Sequence, residues 1–204
     1  ASDGNKMSKS LGNVINPDDV VAKFGADAVR IYEMFMGPWD QVNAWDERSL
    51  IGCRRFLDKI WGLIKRDPST SLRMTDGSDG RLVGELERLI EKVGKDIEEF
   101  KFNTAIAAMM KFSNSWKESE KGLSDQDIRR FLLILAPFAP FMSEELYGNA
   151  KSIHLCKWPE SNTAPTKLTD EPMSVVVQVN GKVRGVVKVK GDPEKAALED
   201  EKIK

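Results

Sequence analysis

Residues 82–100 read LVGELERLIEKVGKDIEEF, and this stretch decides the fold. Leu82, Leu86, Leu89, Val93, Ile97 and Phe100 recur every three or four residues, with Glu, Lys and Arg between them. That spacing places the apolar side chains on one stripe of a long amphipathic helix. The same period lies upstream, where Leu50, Cys53, Leu57, Ile60 and Ile64 come after Asp46. Asp67-Pro68 breaks that helix, and the Ser/Thr/Asp/Gly stretch at 69–80 is a connector. Downstream, Asn103 is placed to cap a third helix with Ile106, Met109, Met110, Ser113 and Trp116 inward. Ser124 and Asp127 stand as a capping-box pair before a fourth, through Ile128, Phe131, Leu132 and Leu135. Pro137 and Pro140 close it, and Ser143-Glu144-Glu145-Leu146 starts one more short helix. Four such stripes predict an antiparallel helical bundle over residues 41–150.

The pattern weakens toward both ends. Residues 1–15 are rich in Ser, Lys, Gly and Asn and predict a loop. Asn16-Pro17-Asp18-Asp19 then gives a capping side chain, a proline at the first helical position and two acids at the positive end of the dipole. Gly25 ends that short helix, and a second runs from about Ala26 to Met36, stopping at Gly37-Pro38. Residues 1–40 are therefore a loop with its connecting helices. Pro159, Pro165 and Pro172 mark 151–172 as a linker or strap. Beyond it, Val175, Val176, Val177 and Val179 lead to Asn180-Gly181, with Val183, Val186, Val187 and Val189 after the turn, a hairpin signal. Pro193 to Ile203 fits a last helix. The expectation is a mainly α chain with a small C-terminal β-hairpin/α piece at 173–204, too thin to hold a core alone. That end reads as truncated. The start at Ala1, without methionine and straight into a polar loop, is likewise expected of a piece of a longer chain.

Composition narrows the function classes. A net charge of -1 advertises no global attraction for polyanions, so any nucleic-acid contact must come from a local patch. Two cysteines, Cys53 and Cys156, make no disulfide framework and fit a reducing cytoplasm. No signal peptide or bilayer-spanning run is present, so no membrane partner is expected. A P-loop hydrolase is excluded, because no Gly-rich loop ends in Gly-Lys-Ser/Thr.

Lys6-Met7-Ser8-Lys9-Ser10 carries the chemistry. Two ammonium groups and two hydroxyls on a flexible loop can meet phosphate oxygens, where adenylyl transfer develops negative charge. Charge alone leaves a solvated linker as the plainer reading. The string itself, continued by Leu11-Gly12-Asn13, resembles the second signature of class I aminoacyl-tRNA synthetases. Asn16-Pro17-Asp18-Asp19 and Gly25-Ala26-Asp27-Ala28-Val29-Arg30 resemble the segment after that signature in the leucyl, isoleucyl and valyl enzymes. Met34-Phe35-Met36-Gly37-Pro38 and Arg54-Arg55-Phe56-Leu57-Asp58 are similar to the leucyl branch. So is Val177-Gln178-Val179-Asn180-Gly181-Lys182-Val183-Arg184-Gly185, the feature that separates it from the isoleucyl and valyl branches. Ala136-Pro137-Phe138-Ala139-Pro140 with Glu144-Glu145-Leu146 resembles a late helix of the subgroup, except that Phe141 stands where a histidine is frequent.

The resemblance implies the ATP-contacting loop and tRNA-binding bundle of a leucyl-tRNA synthetase. It implies a monomer acting with leucine, ATP with Mg2+ and leucine tRNA, and active only with a catalytic half absent from these residues. Lys6 and Lys9 are then the candidate catalytic phosphate partners, with Met7, Ser8 and Ser10 completing the ATP contact. Arg54 and Arg55 beside the first long stripe are candidates for tRNA phosphates, against a plainer reading as salt bridges to Asp58 or Glu47. Lys182 and Arg184 beside the hairpin turn are candidates too, against a role in solubility. Trp39, Trp45 and Trp61 fit packing better than base stacking. His154 and Cys156 fall short of the four ligands of a structural zinc, so no metal is expected. The competing class is a stand-alone helical RNA-binding or scaffolding module.

Overall fold

The computed structural model describes residues 7–38, 41, 43–65, 79–148, 151–161, 173–179 and 182–189. Seven α-helices are found among them: α1 (Pro17–Phe24), α2 (Ala26–Phe35), α3 (Glu47–Ile64), α4 (Gly80–Glu98), α5 (Phe102–Glu118), α6 (Asp125–Leu135) and α7 (Pro140–Tyr147). The chain divides into a first unit to Asn162 and a second from Thr163.

Every stripe residue of α3 is buried, and Phe56 and Leu63 widen its inner face. Leu82, Leu86, Leu89 and Val93 of α4 are buried as the spacing predicts, with Ile97 partly so. Phe100 departs from the prediction. The helix ends at Glu98, and Phe100 turns to a left-handed φ of 57°, 59% exposed. A side chain there is strained, but Lys101 N–H donates to the Asp96 carbonyl at 2.7 Å and the Phe100 ring meets Phe102 edge-on. This turn folds α5 back along α4.

Asn103 does not cap α5, which begins at Phe102 with the cap position at Lys101, two residues before Asn103, and no side-chain cap. The buried Asp96 carboxylate holds the corner instead, accepting from Thr104 Oγ1 and Lys92 Nζ, both at 2.8 Å. Ser124 does cap α6, accepting from Asp127 N–H at 3.2 Å and donating to its carboxylate at 2.6 Å. Helix α5 packs against α2, α3 and α4, and it reaches α6 through Phe112, Trp116 and Phe131. Helix α3 thus takes α2 and α5 as its main neighbours, where a simple up-and-down order would have paired it with α4. The connector between α3 and α4, from 66 to 78, lies outside the described residues.

Helix α7 starts at Pro140, three residues before the position read from Ser143. Its cap comes from another helix. The Asp27 carboxylate on α2, 8% exposed, accepts from Met142 N–H at 2.7 Å and Phe141 N–H at 3.3 Å. Arg30, one turn on, donates to the Pro137 carbonyl at 2.9 Å. An Asp27→Ala variant leaves two helix-terminal donors without their acceptor and should lose about 2 kcal/mol of unfolding free energy. Chemical denaturation monitored by far-ultraviolet circular dichroism checks this; a loss under about 0.5 kcal/mol would mean that water replaces the carboxylate freely.

After Gly148, residues 151–161 lie on the bundle through a 3-10 turn at Ile153–Leu155, whose Ile153 is buried. The Trp158 ring packs over Gly94, and Ser161 Oγ donates to Glu91 at 2.9 Å. The second unit contains β1 (Met173–Val179) and β2 (Lys182–Val189), antiparallel with an irregularity between Val177 and Gln178. The Asn180-Gly181 turn and the helix expected from Pro193 lie outside the described residues, as do 162–172 of the strap. No helix among the described residues is long and apolar enough to cross a membrane.

Candidate functional site

The loop that carries the signature is shaped by local hydrogen bonds. Ser8 N–H donates to Asn13 Oδ1 at 2.8 Å, which closes a ring around the 3-10 turn Lys9–Leu11. Leu11 N–H donates to the Ser8 carbonyl at 3.1 Å and Gly12 N–H to the Lys9 carbonyl at 3.2 Å. Gly12 ends the turn at φ +64°, with open space where a side chain would sit, so backbone conformation alone calls for glycine there. The ring is anchored by Ile15, packed against the core, and by Asn16, whose side chain accepts from Asp18 N–H at 3.2 Å. Lys9 opens the turn, exposed, and its ammonium makes no hydrogen bond or ion pair among the described residues. The Ser8 and Ser10 hydroxyls bond each other at 2.7 Å. That contact uses one of their two hydrogens, leaving one O–H donor available to an anion. Met7 is half-buried, and Lys6 lies outside the described residues.

Helix α1 leads from this loop to Gly25, which takes φ +87° and ψ 150°, open in practice only to glycine. Its N–H closes α1 on the Val21 carbonyl at 2.8 Å, and a side chain here would meet Arg54 Nη1 at 3.4 Å. Arg54 is already committed. Its Nε donates to Asp58 at 2.9 Å and its Nη1 to the Phe24 carbonyl at 3.2 Å. Arg55, the next residue of α3, is exposed and its guanidinium makes no hydrogen bond or ion pair among the described residues. The two arginines read together from the sequence therefore differ: one braces the α1–α2 junction, the other faces solvent. Lys59, one turn beyond Arg55, was not singled out by the sequence. It donates to Asn114 Oδ1 at 2.5 Å and Ser113 Oγ at 3.4 Å, joining α3 to α5.

Beside Arg54, a cleft of about 530 Å³ opens between the α1–α2 corner, α3 and α7. Trp61 and Phe141 stand at it, 40% and 68% exposed. Trp61 thus is not the packed core residue that its type suggests; Lys65 Nζ lies 5.4 Å from its ring centre. Trp45 does pack, edge-on to Tyr32 at 4.8 Å, and Trp39 lies outside the described residues. The Tyr32 hydroxyl accepts from Asp46 N–H at 2.7 Å, and burial raises its pKa.

His154 and Cys156 turn to different partners. His154 Nε2 sits 3.8 Å from Glu144, while Cys156 Sγ meets the Tyr147 hydroxyl at 3.5 Å. Burial pushes the Cys53 thiol up to about 11, so it stays protonated and is no nucleophile near neutral pH. Lys182 and Arg184 lie on β2, with Lys182 paired to Val179 in the ladder; their side chains are outside the described residues.

Two family models match the chain in order. Residues 1–45 match tRNA synthetases class I (I, L, M and V), and residues 79–199, more than half the chain, match the anticodon-binding domain of tRNA ligase. The chain is 41% identical to a leucine–tRNA ligase of Herpetosiphon aurantiacus over 98% of its own length and 26% of that protein. Among solved structures it is similar to the ternary complex of Agrobacterium radiobacter K84 agnB2 LeuRS with tRNA and LeuAMS. The TM-score is 0.68 at 31% identity, covering 99% of this chain and 29% of that one. The chain thus spans between a quarter and a third of the length of these relatives.

Proposed function

The chain belongs to the anticodon-binding-domain family of tRNA ligases, and on that footing we propose that it forms part of a leucine–tRNA ligase. Such an enzyme joins leucine to ATP as leucyl-adenylate, releasing pyrophosphate, and transfers the leucyl group to leucine tRNA. The observation that carries this reading is the order of the two matches along one chain: a class I segment bearing the signature loop, then a tRNA-ligase bundle.

In this reading Lys6, Met7, Ser8, Lys9 and Ser10 meet ATP. A Lys9 without a partner among the described residues and a spare hydroxyl of the Ser8–Ser10 pair suit phosphate oxygens, which accept hydrogen bonds and carry charge. Loop residues 7–13 include no carboxylate, so this segment would touch the phosphates directly and leave the accompanying Mg2+ to other ligands. Arg54, Arg55, Lys182 and Arg184 are the proposed tRNA contacts, and Arg55 has its guanidinium uncommitted among the described residues. The hairpin and the segment after it would open a C-terminal domain, and the protein would act as a cytoplasmic monomer. Residues 1–40 would serve the catalytic half and 41–150 the tRNA, with 151–172 as the strap between bundle and C-terminal domain. Leucine is carried by tRNAs with dissimilar anticodons, so the bundle would grip backbone and shape without reading anticodon bases.

Binding of this chain to leucine tRNA and to one unrelated tRNA, each at low and moderate salt, tests the proposal. Salt-sensitive binding that favours leucine tRNA, unchanged by anticodon substitution, is expected. Equal binding to both tRNAs would remove the recognition role, and a large loss on changing anticodon bases alone would overturn the backbone reading.

A further inference from the structure

Helices α4 and α5 form an antiparallel pair, and an open groove of about 690 Å³ runs along their outer seam. Its floor includes Ala107 and Ala108, too small to fill it, while Leu89 and Phe112 lie buried beneath. Three cations line it: Arg88 and Lys92 on α4, Lys111 on α5. Glu85, the acid in the lining, and Asp96 beyond it are both compensated. Glu85 lies 3.5 Å from Arg81, and Asp96 is held by Lys92 at 2.8 Å. Arg88 and Lys111 are exposed, on opposite walls, and their charged groups make no ion pair or hydrogen bond among the described residues. In a chain of net charge -1, this is a local excess of positive charge facing a channel with no large side chain across it.

We infer that this groove receives the phosphodiester backbone of tRNA, with Arg88 and Lys111 each meeting a phosphate. The inference rests on the tRNA-ligase reading above and adds a surface separate from Arg54 and Arg55. No aromatic ring is exposed on the groove, so it offers no platform on which unpaired bases could stack. Its two large apolar residues, Leu89 and Phe112, are buried and only the small Ala107 and Ala108 reach its surface, so it lacks the aromatic or aliphatic anchors that carry protein interfaces. Contact through phosphate alone fixes orientation without sequence preference.

The test is an Arg88→Gln/Lys111→Gln variant of this chain, with Arg88→Lys/Lys111→Arg as its charge-preserving counterpart. The glutamine variant should bind leucine tRNA about tenfold more weakly near 0.1 M salt, with the slope of log K against log salt shallower by about two. An unrelated tRNA should lose the same factor, and the charge-preserving variant should bind as wild type does. Both side chains are exposed, so the dichroism spectrum should not change. Unchanged affinity and slope in the glutamine variant would overturn the groove while leaving the leucine reading intact. A wild-type chain that prefers neither tRNA, with binding still weakened in the variant, would remove that reading and keep the groove. No RNA binding by wild type would overturn both. Polyglutamate that displaces tRNA at equal charge concentration would assign the groove to an acidic protein and overturn the inference.

Discussion

Under the proposed function, Lys9→Ala in the full-length ligase is expected to slow leucyl-adenylate formation by about 10²–10³, the usual cost of losing one preorganised charge contact to the transition state. The ammonium is exposed and without a partner among the described residues, so the variant removes nothing seen to hold the loop. The ring from Ser8 N–H to Asn13 Oδ1 and the turn closed by Gly12 use backbone and Asn13 atoms only. Loop geometry should therefore survive, and the loss should fall mainly on the turnover number. Contact with ATP before reaction would add a smaller rise in KM, because only binding that strengthens in the transition state lowers the barrier. Lys9→Arg keeps the charge but replaces a compact point with a planar fork, and should recover part of the rate. ATP–pyrophosphate exchange reads the activation step directly, and tRNA binding by the same variant should match wild type. A rate within about twofold of wild type would show that Lys9 is a solvated lysine and that the loop's charge acts elsewhere.

The signature loop was legible through the resemblance of its string to the class I signature, because charged and hydroxyl groups in a polar segment read by themselves as a solvated linker. Its shape was not, since the Asn13 contact depends on a turn whose register no periodicity reveals. The helices were read well where the stripe is long: Leu82, Leu86, Leu89 and Val93 repeat at the helical period, and burial comes from that repeat alone. Ends were read poorly where another element decides them. Helix α7 starts at Pro140 because Asp27 supplies acceptors from 114 and 115 residues away. Phe100 leaves the stripe because the chain reverses there, held by contacts to Asp96 and Phe102. The α4–α5 groove escaped for a related reason. Arg88 and Lys111 each sit on the solvent face of their own helix, and only the packing of two helices turns separate surface charges into walls of one channel.

Loss of the Arg130 guanidinium should be the most destabilising single change on the bundle's polar side. Arg130 on α6 grips Glu87 on α4 through two parallel bonds of 2.6 and 2.7 Å. The two side chains are only 12% and 7% exposed, and Asp127 lies 3.5 Å away. The Glu87 hydrogen bond, foremost, raises the arginine's pKa further, so it stays charged throughout the working pH range. The same guanidinium donates to the Glu160 carbonyl at 2.8 Å, so it also pins the segment that follows α7. Arg130→Met takes the paired guanidinium from the buried Glu87 carboxylate, which costs about 3–5 kcal/mol. For a chain of this size that is a fall of roughly 10 °C in the unfolding midpoint. Replacing both members, as Glu87→Leu/Arg130→Met, removes the stranded charge and should restore most of the loss, because the pair's own attraction is largely offset by its desolvation. What the double variant cannot restore is the bond to Glu160, so residues 156–161 should become more open to proteolysis even where the midpoint recovers. Thermal melts of the two variants beside wild type measure the first effect, and limited proteolysis the second. A single variant that costs under about 1 kcal/mol would mean that water reaches Glu87 and that the pair is effectively a surface bridge.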